Sequence, residues 1–169
     1  MSSDLQGGNS RNPAEAGQGL RKMMLTSSPE KLGIKLFEAF PKIYGVLMDW
    51  PTGHGNVASV ISLCDGNASL YTNGTFGVIG GIGNENVRKC AVEFVTMAEG
   101  NYAEALSTSD YSYPKPDRIK FYFCGYEGLR VVESDLNLVS SGNHQLSNLF
   151  NHAQHMIGLF RQIYSARQK

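Results

Sequence analysis

The chain has 169 residues, and its fifteen Lys and Arg are balanced by fifteen Asp and Glu, which gives a formal net charge of zero. This balance argues against coating of nucleic acid, which needs a basic excess to displace counterions from phosphates. With 41% hydrophobic, 10% aromatic and 18% charged residues, the composition is that of a globular protein. A chain of this length can bury a core without disulfides or a structural metal.

Neither a secretory leader nor a membrane span is expected. The N-terminal segment has no apolar run of the kind that leaders carry, and no stretch of the chain approaches eighteen consecutive apolar residues. An odd number of cysteines cannot all pair within the chain, and each lies among apolar neighbours: Cys64, Cys90 and Cys124. We therefore predict buried free thiols and a cytoplasmic protein with no membrane partner.

The N-terminal part of the chain predicts a tail followed by a helix. Residues 1–27 are rich in Ser, Gly, Asn and Gln without any period, which is typical of a flexible tail. Residues 28–169 are expected to form a single globular α+β domain. A Ser, a Pro and a Glu at 28–30 are typical of a helix start, and apolar residues at helical spacing follow until Pro41. The first helix is predicted over about 29–40.

Residues 43–79 change to β-branched and aromatic runs separated by turn residues. Asp65-Gly66 lies between two of these runs and is a strong hairpin signal, because both positions of a type I′ turn need positive φ. Residues 51–56, which contain Pro and two Gly, predict a loop. This part of the chain is therefore expected to form a four-stranded antiparallel meander.

The second half of the chain alternates again between the two periods. An apolar stripe behind the cap-type Asn84 predicts a second helix over about 84–99. A loop, a hairpin with turn glycines and a short strand are expected next, at 107–117, 118–133 and 136–139. From His144 onward, apolar residues at steps of three and four predict a helix of about 22 residues, long enough to cross a whole sheet.

Together these elements predict an α/β protein of the α+β type. We expect an antiparallel sheet of five to six strands with two or three helices. One long and one shorter helix would cover one face of the sheet, which leaves the opposite face or a helix edge for a partner.

The glycine-rich tract 77–83 precedes the second helix, and backbone N–H groups at a helix N-terminus can hold a phosphate. The candidate anion-binding residues are Gly80, Gly81, Gly83 and Asn84. Neither the dinucleotide fingerprint nor the phosphate-binding loop is complete, and hairpin-connected strands differ from the parallel unit that the dinucleotide motif needs. A tight strand-to-helix connection is therefore favoured, and no cofactor is predicted.

No catalytic or metal-binding group is predicted. Three histidines are near one another without a third ligand placed beside them, and they fall on the polar side of the last helix: His144, His152 and His155. His54 has no identifiable Ser, Cys or acid partner for a triad. Four acids fall at strand ends or turns, with nothing in the sequence to pair them: Asp49, Asp65, Glu127 and Asp135.

One stretch resembles a known family: VASVISLCDGNASLYTNGTFGVIGGIGNENVRKCAVEFVTMA, from Val57 to Ala98. It combines a hairpin with an Asp-Gly turn, a glycine-bearing connection and an amphipathic helix. Together with residues 29–40 and 144–166, it resembles the roadblock (dynein light chain) superfamily within the profilin-like and longin-like group. The resemblance implies a small non-enzymatic protein that dimerises side by side and serves as a platform for small GTPases or motor and signalling complexes.

These observations predict a non-enzymatic interaction module. We expect a homodimer that pairs through a sheet edge or through the second helix at Val87, Phe94 and Val95, with a small GTPase as its partner. The alternative is a small-molecule sensor or small enzyme with a pocket between the sheet and the long C-terminal helix. Its candidate lining residues are Trp50, His54, Tyr122 and Tyr126. A third hypothesis is a structural subunit of a larger assembly, tethered by the polar N-terminal segment.

Overall fold

A computed structural model describes residues 12–35, 39–74, 78–81 and 83–169 of the chain. The helices are α1 (Pro13–Thr26), α2 (Glu85–Glu99), α3 (Leu136–Ser140) and α4 (Ser147–Arg167), with a 3-10 turn at Tyr102–Glu104. The strands are β1 (Ile43–Gly53), β2 (Asn56–Leu63), β3 (Ala68–Thr72), β4 (Val78–Gly80), β5 (Leu106–Ser107), β6 (Arg118–Gly125) and β7 (Gly128–Asp135). The predicted α+β class is confirmed.

All strands belong to one antiparallel sheet with the order β4-β3-β2-β1-β6-β7-β5. The predicted meander forms β1 to β4, and the predicted second hairpin forms β6 and β7. Among the described residues, six strands form the main part of the sheet, and the two-residue β5 adds a seventh at its edge. β1 lies at the centre because its residues Ile43–Met48 are apolar or small and buried on both faces.

Helices α2 and α4 cover one face of the sheet. α2 buries a stripe of six residues at helical spacing: Val87, Cys90, Ala91, Phe94, Val95 and Ala98. α4 begins at Ser147, three residues later than predicted. His144 N–H donates to Ser147 Oγ over 3.1 Å, and this hydroxyl donates to the carbonyl of Val139 over 2.7 Å. These bonds hold the segment before α4 in a turn, and both helix predictions are otherwise confirmed.

Helix α1 covers the opposite face, so the prediction of a tail over 1–27 is wrong for residues 13–26. The buried positions of α1 are Gly17, Arg21, Met24 and Leu25, which lie on one side of a helix. The polar, Gly-containing composition concealed this stripe, since only two of its four members are apolar. Residues 1–11 lie outside the described part of the chain. The sheet face that was expected to remain free is therefore occupied.

The prediction of a helix over 29–40 is wrong for its first half. Residues 29–33 form successive turns, closed by a hydrogen bond of 2.8 Å from Ile34 N–H to the carbonyl of Pro29. Gly33 has a φ of +71°, which an α-helix does not accommodate. Residues 36–38 lie outside the described residues.

Two further local predictions need correction. The loop expected at 51–56 is a tight hairpin in which β1 continues to Gly53, and His54 and Gly55 have φ of 54° and 77°. This is the positive-φ pair of a type I′ turn. The strand expected at 136–139 is the helix α3, because the Asp135 carboxylate caps it by accepting the N–H of Leu138 over 3.0 Å.

Candidate functional site: a cavity between the sheet and helix α4

A cavity of about 430 Å³ lies between the sheet and the C-terminal half of α4. Its floor is a row of side chains across three strands. Trp50 of β1 pairs with Ala58 of β2, and Ala58 pairs with Thr72 of β3. Because directly paired residues share a face of the sheet, all three lie on the side that α4 covers. The small Ala58 at the centre of the row leaves the space between its larger neighbours.

Helix α4 supplies the opposite wall. Ile157, Arg161, Tyr164 and Ser165 line the cavity, at spacings of four, three and one residue that place them on one side of a helix. Ile157 is buried, whereas Arg161 is exposed and the Tyr164 side chain is 41% exposed. The last turns of α4 therefore extend past the packed core and form the mouth of the cavity. The other lining residues are Thr52, Asn56, Val57, Leu70 and Gly74.

The cavity lining is mainly apolar, and Trp50 of its floor packs against helix α4. The Trp50 ring packs edge-on against Phe150 of α4, with ring centroids 6.5 Å apart and an interplanar angle of 77°. None of the described lining residues carries a carboxylate, and Arg161 is the charged residue among them. Such a surface can bind an apolar molecule, and the polar residues Thr52, Asn56 and Thr72 lie among the lining residues.

The four residues predicted for a pocket do not share one cavity. Trp50 lines the cavity, but His54 lies in the exposed β1–β2 turn. Tyr122 is fully buried on the opposite face, where its hydroxyl donates to the carbonyls of Asp110 and Ser112 over 3.2 Å each. Burial raises the pKa of Tyr122 to about 12. Tyr126 lies at the other end of the sheet, beside two separate cavities of about 500 and 480 Å³.

Sequence reasoning missed most of the lining residues. The position of Ala58 between Trp50 and Thr72 depends on strand register, which the sequence pattern does not specify. Tyr164 had a visible signal, since the apolar stripe of α4 continues to it beyond the residues that the core buries.

The predicted dimer contacts on α2 are wrong. Val87, Phe94 and Val95 are each 0% exposed. They belong to the main core, which lies between the sheet and helices α2 and α4. An amphipathic stripe reports which side of a helix is buried, and here the burial is intramolecular. These residues cannot contribute a surface to a partner of the folded protein.

Gly81 and Gly83 lie in a tight connection between β4 and α2, the arrangement that the sequence pattern favoured over anion binding. A Cβ on Gly81 would lie 2.5 Å from Val87 Cγ1 and 3.1 Å from Phe160 Cε1, so the backbone passes directly over the core. Gly83 has a φ of +86°. The Asn84 side chain accepts the N–H of Val87 over 3.1 Å, and it is therefore engaged in capping α2.

A cysteine–histidine contact joins α2 to α4. His152 Nε2 lies 2.9 Å from the carbonyl oxygen of Cys90, 3.3 Å from Cys90 Sγ and 3.7 Å from Glu93 Oε2. The His152 ring stacks on Phe94, so it is half-buried and the prediction that it faces solvent is wrong. Burial, and then the charge of Glu93, raises the pKa of Cys90 to about 11. The thiol is therefore protonated at neutral pH and is not an activated nucleophile.

The remaining candidate residues have structural roles or face solvent. His144 Nδ1 accepts the N–H of Leu146 over 3.1 Å, and its Nε2 lies 3.2 Å from Ser134 Oγ. His155 is exposed, as predicted. The three cysteines are free and buried, as predicted. Within the described ranges, no group of three or more His, Cys, Asp or Glu side chains is arranged to hold a metal ion.

A buried polar row crosses the face that α1 covers. Lys120 of β6, Asp49 of β1 and Ser59 of β2 are paired residues, 7%, 0% and 1% exposed. The Ser59 hydroxyl donates to Asp49, and Lys120 Nζ donates to the carbonyl of Ser112 over 2.9 Å. Arg21 of α1 covers this row and contacts Asp49. Because the row is sealed from solvent, we assign it to stability and not to binding.

Comparisons with protein-family models, with curated proteins and with solved structures find no match for this chain. The resemblance to the roadblock superfamily therefore stays a prediction. In the part of the chain that the structure describes, no helix has both the length and the apolar character needed to cross a bilayer.

Proposed function

We propose that this protein binds a small, largely apolar molecule in the cavity between α4 and strands β1 to β3. The supporting observation is a cavity of about 430 Å³ with an aromatic residue at each side, Trp50 and Tyr164. Small-molecule sites in proteins usually enclose about 300–1,000 Å³ and combine apolar walls with a few polar groups. This proposal corresponds to the alternative that the sequence left open, a pocket beneath the C-terminal helix.

The proposal is for binding and not for catalysis. Neither of the histidine arrangements described above reaches the cavity, and the Cys90 thiol is protonated and buried. The lining offers hydroxyl, amide and guanidinium groups, which orient a ligand but do not supply a general base at neutral pH. These groups support a role in ligand binding, such as that of a sensor or carrier.

The position of Trp50 provides a direct assay, because it is the only tryptophan of the sequence. Titration with the neutral dye phenylnaphthylamine should quench or shift the Trp50 emission and raise the dye fluorescence in parallel. Both signals should saturate at one dye per chain. A linear, unsaturable dye signal without a change in Trp50 emission would contradict the proposal.

A matched pair of variants locates the binding. Ala58→Leu adds three carbons at the centre of the cavity floor, and we expect it to abolish saturable dye binding. Ala103→Leu makes the same change at an exposed residue outside the lining of this cavity, in the separate cavity of about 480 Å³ beside Tyr126, and should bind as the parent does. Circular dichroism and the urea midpoint of each variant check that it is folded. Equal binding by a folded Ala58→Leu variant would place the dye elsewhere.

An interaction module remains the second candidate function, and the edge of the sheet favours it. β5 pairs with β7 only at Arg130 and Val131, so residues 132–135 of β7 have no strand partner on their outer side among the described residues. An open strand edge can pair with the same edge of a second copy and form a symmetric dimer. A small GTPase as partner stays a prediction.

Light scattering across micromolar concentrations tests the dimer. The Leu129 carbonyl accepts the N–H of Thr108 and therefore points away from β6. Alternate residues of a strand form hydrogen bonds on the same side, so the N–H of Glu133 also points outward. Glu133→Pro removes that N–H, and we expect it to convert a dimer to a monomer while the fold persists. A monomer mass for the parent chain would exclude the edge-to-edge dimer.

A further inference from the structure

The charge distribution around the cavity is one-sided. Arg161 is the charged residue among the described lining residues, and no carboxylate lies among them. No Asp or Glu follows Asp135 in the sequence, whereas Arg161, Arg167 and Lys169 do. The C-terminal half of α4 therefore presents positive charge beside an apolar cavity, with no acidic side chain on the same helix to offset it.

The Arg161 guanidinium is available to a ligand. Its side chain is exposed and forms no ion pair with another residue in the described part of the chain. It lies four residues after Ile157, which is buried in the cavity wall, and three residues before Tyr164, which is at the mouth. A molecule whose apolar body contacts Ile157 and Trp50 would therefore place its outer end near Arg161.

The backbone of α4 does not itself attract an anion here. The C-terminal end of a helix carries a partial negative charge that acts within the last turn. Arg161 precedes the end of α4 at Arg167 by six residues, or about 9 Å along the axis. Any anion at the mouth is therefore held by the guanidinium, and one guanidinium neutralises one negative charge.

We propose that the ligand of this cavity is an amphiphilic monocarboxylate, with its apolar body between Trp50 and Ile157 and its carboxylate on Arg161. This inference rests on the proposed function, since it specifies the ligand of the same cavity. The guanidinium fork fits a carboxylate through two parallel hydrogen bonds. A phosphate monoester would bring a second negative charge for which the described lining offers no counter-charge.

Three probes of equal chain length separate the carboxylate from the apolar body: octanoate, octanol and octyl phosphate. Each is measured by Trp50 emission and by displacement of phenylnaphthylamine. We expect octanoate to bind at least as tightly as octanol and more tightly than octyl phosphate. Increasing the salt concentration should weaken the binding of octanoate and leave the binding of octanol unchanged, because only the charged contact is screened.

The variant Arg161→Gln tests the residue. We expect it to weaken the binding of octanoate by up to about fivefold, the upper limit of what an exposed ion pair contributes, without changing the binding of octanol. Arg167→Gln removes the same charge from the same helix outside the cavity lining and should have little effect on either probe. Arg161→Lys should restore part of the octanoate affinity.

The outcomes separate this inference from the proposed function. If octanol and dye bind the parent but not Ala58→Leu, while Arg161→Gln weakens octanoate no more than Arg167→Gln does, the carboxylate assignment is wrong and the cavity remains a binding site. Tighter binding of octyl phosphate than of octanoate also overturns the assignment. If none of the probes binds saturably, the proposed function itself fails.

Discussion

Arg21 of α1 and Asp49 of β1 form a buried, bidentate ion pair across 28 positions of sequence. The Arg21 Nε lies 3.1 Å from each carboxylate oxygen, and the two side chains are 4% and 0% exposed. The guanidinium also lies 4.1 Å from the ring centre of Tyr113 and donates to the carbonyl of Tyr111 over 2.6 Å. This network attaches α1 and the loop before β6 to the same strand.

Removing Arg21 should destabilise the fold strongly. Arg21→Met retains much of the side-chain volume but leaves the Asp49 carboxylate buried without its counter-charge. Breaking one partner of a buried pair costs about 3–5 kcal/mol in the free energy of unfolding. Urea unfolding followed by circular dichroism measures this loss.

Two comparisons show whether the cost arises from burial. The double variant Arg21→Met with Asp49→Leu should recover part of the stability that Arg21→Met loses, because the uncompensated Asp49 carboxylate is removed while the buried Lys120 remains in the same row. Arg118→Met breaks the half-exposed pair with Glu133, whose atoms are 3.4 Å apart, and should cost at most about 1 kcal/mol. An unchanged urea midpoint in Arg21→Met would show that the pair does not hold α1 to the sheet.

Stability should fall in alkali. Burial raises the pKa of Cys124 to about 12, above the ordinary thiol value of 9.0. Burial is also the main cause that raises the pKa of Cys90 to about 11. A group whose pKa is higher in the folded state keeps its proton there longer than in the unfolded state. Its contribution is complete below about pH 9 and is lost as the pH rises towards the folded values. We expect the urea midpoint, measured with a reductant present, to decline above about pH 9.

The variant Cys124→Ala provides the check for this pH dependence. It removes one titrating thiol, so the decline of the urea midpoint between about pH 9 and 11 should become shallower than in the parent. The parent and the variant are compared as slopes, because the smaller side chain lowers stability at every pH. Identical slopes would assign the alkaline loss to other buried groups, of which Cys90 and Tyr122 are the first to test.

The two adjacent glycines before α2 should respond differently to alanine. Gly81→Ala would place a Cβ 2.5 Å from Val87 Cγ1, and overpacking of this kind costs about 1–3 kcal/mol. Gly80→Ala meets no atom within 4 Å and should be neutral or slightly stabilising. Thermal unfolding compares the two variants directly. Equal melting temperatures would show that the connection can move away from the core.

The cap of α2 should be replaceable by another acceptor. Asn84→Ala removes the oxygen that accepts the N–H of Val87, and loss of such a cap costs about 1 kcal/mol. Asn84→Asp keeps the acceptor and adds a negative charge at the positive end of the helix, so it should match or exceed the parent. The urea midpoints of the three proteins should therefore rank Ala below Asn, with Asp at or above Asn.

Elements with a strong local pattern could be predicted from the sequence. The apolar stripes of α2 and α4 follow the helical period, and the strand runs with their turn residues predicted β1 to β4 and the β6–β7 hairpin. The backbone conformation of the turns could not be predicted from their composition alone. The Asp65-Gly66 turn has positive φ at Gly66 and not at Asp65, whose carboxylate instead accepts the N–H of Asn67.

The position of α1 and the candidate cavity required the tertiary structure. Arg21 identifies the buried side of α1 only once Asp49 is known to lie beneath it, since an isolated arginine in a polar segment predicts exposure. Likewise, Trp50, Ala58 and Thr72 become neighbours through strand register, and Arg161 reaches them through the docking of α4. Periodicity along the chain determined which residues face inward. Which distant residues meet there was decided by burial and charge compensation between elements, which act through space and leave no regular pattern in the sequence.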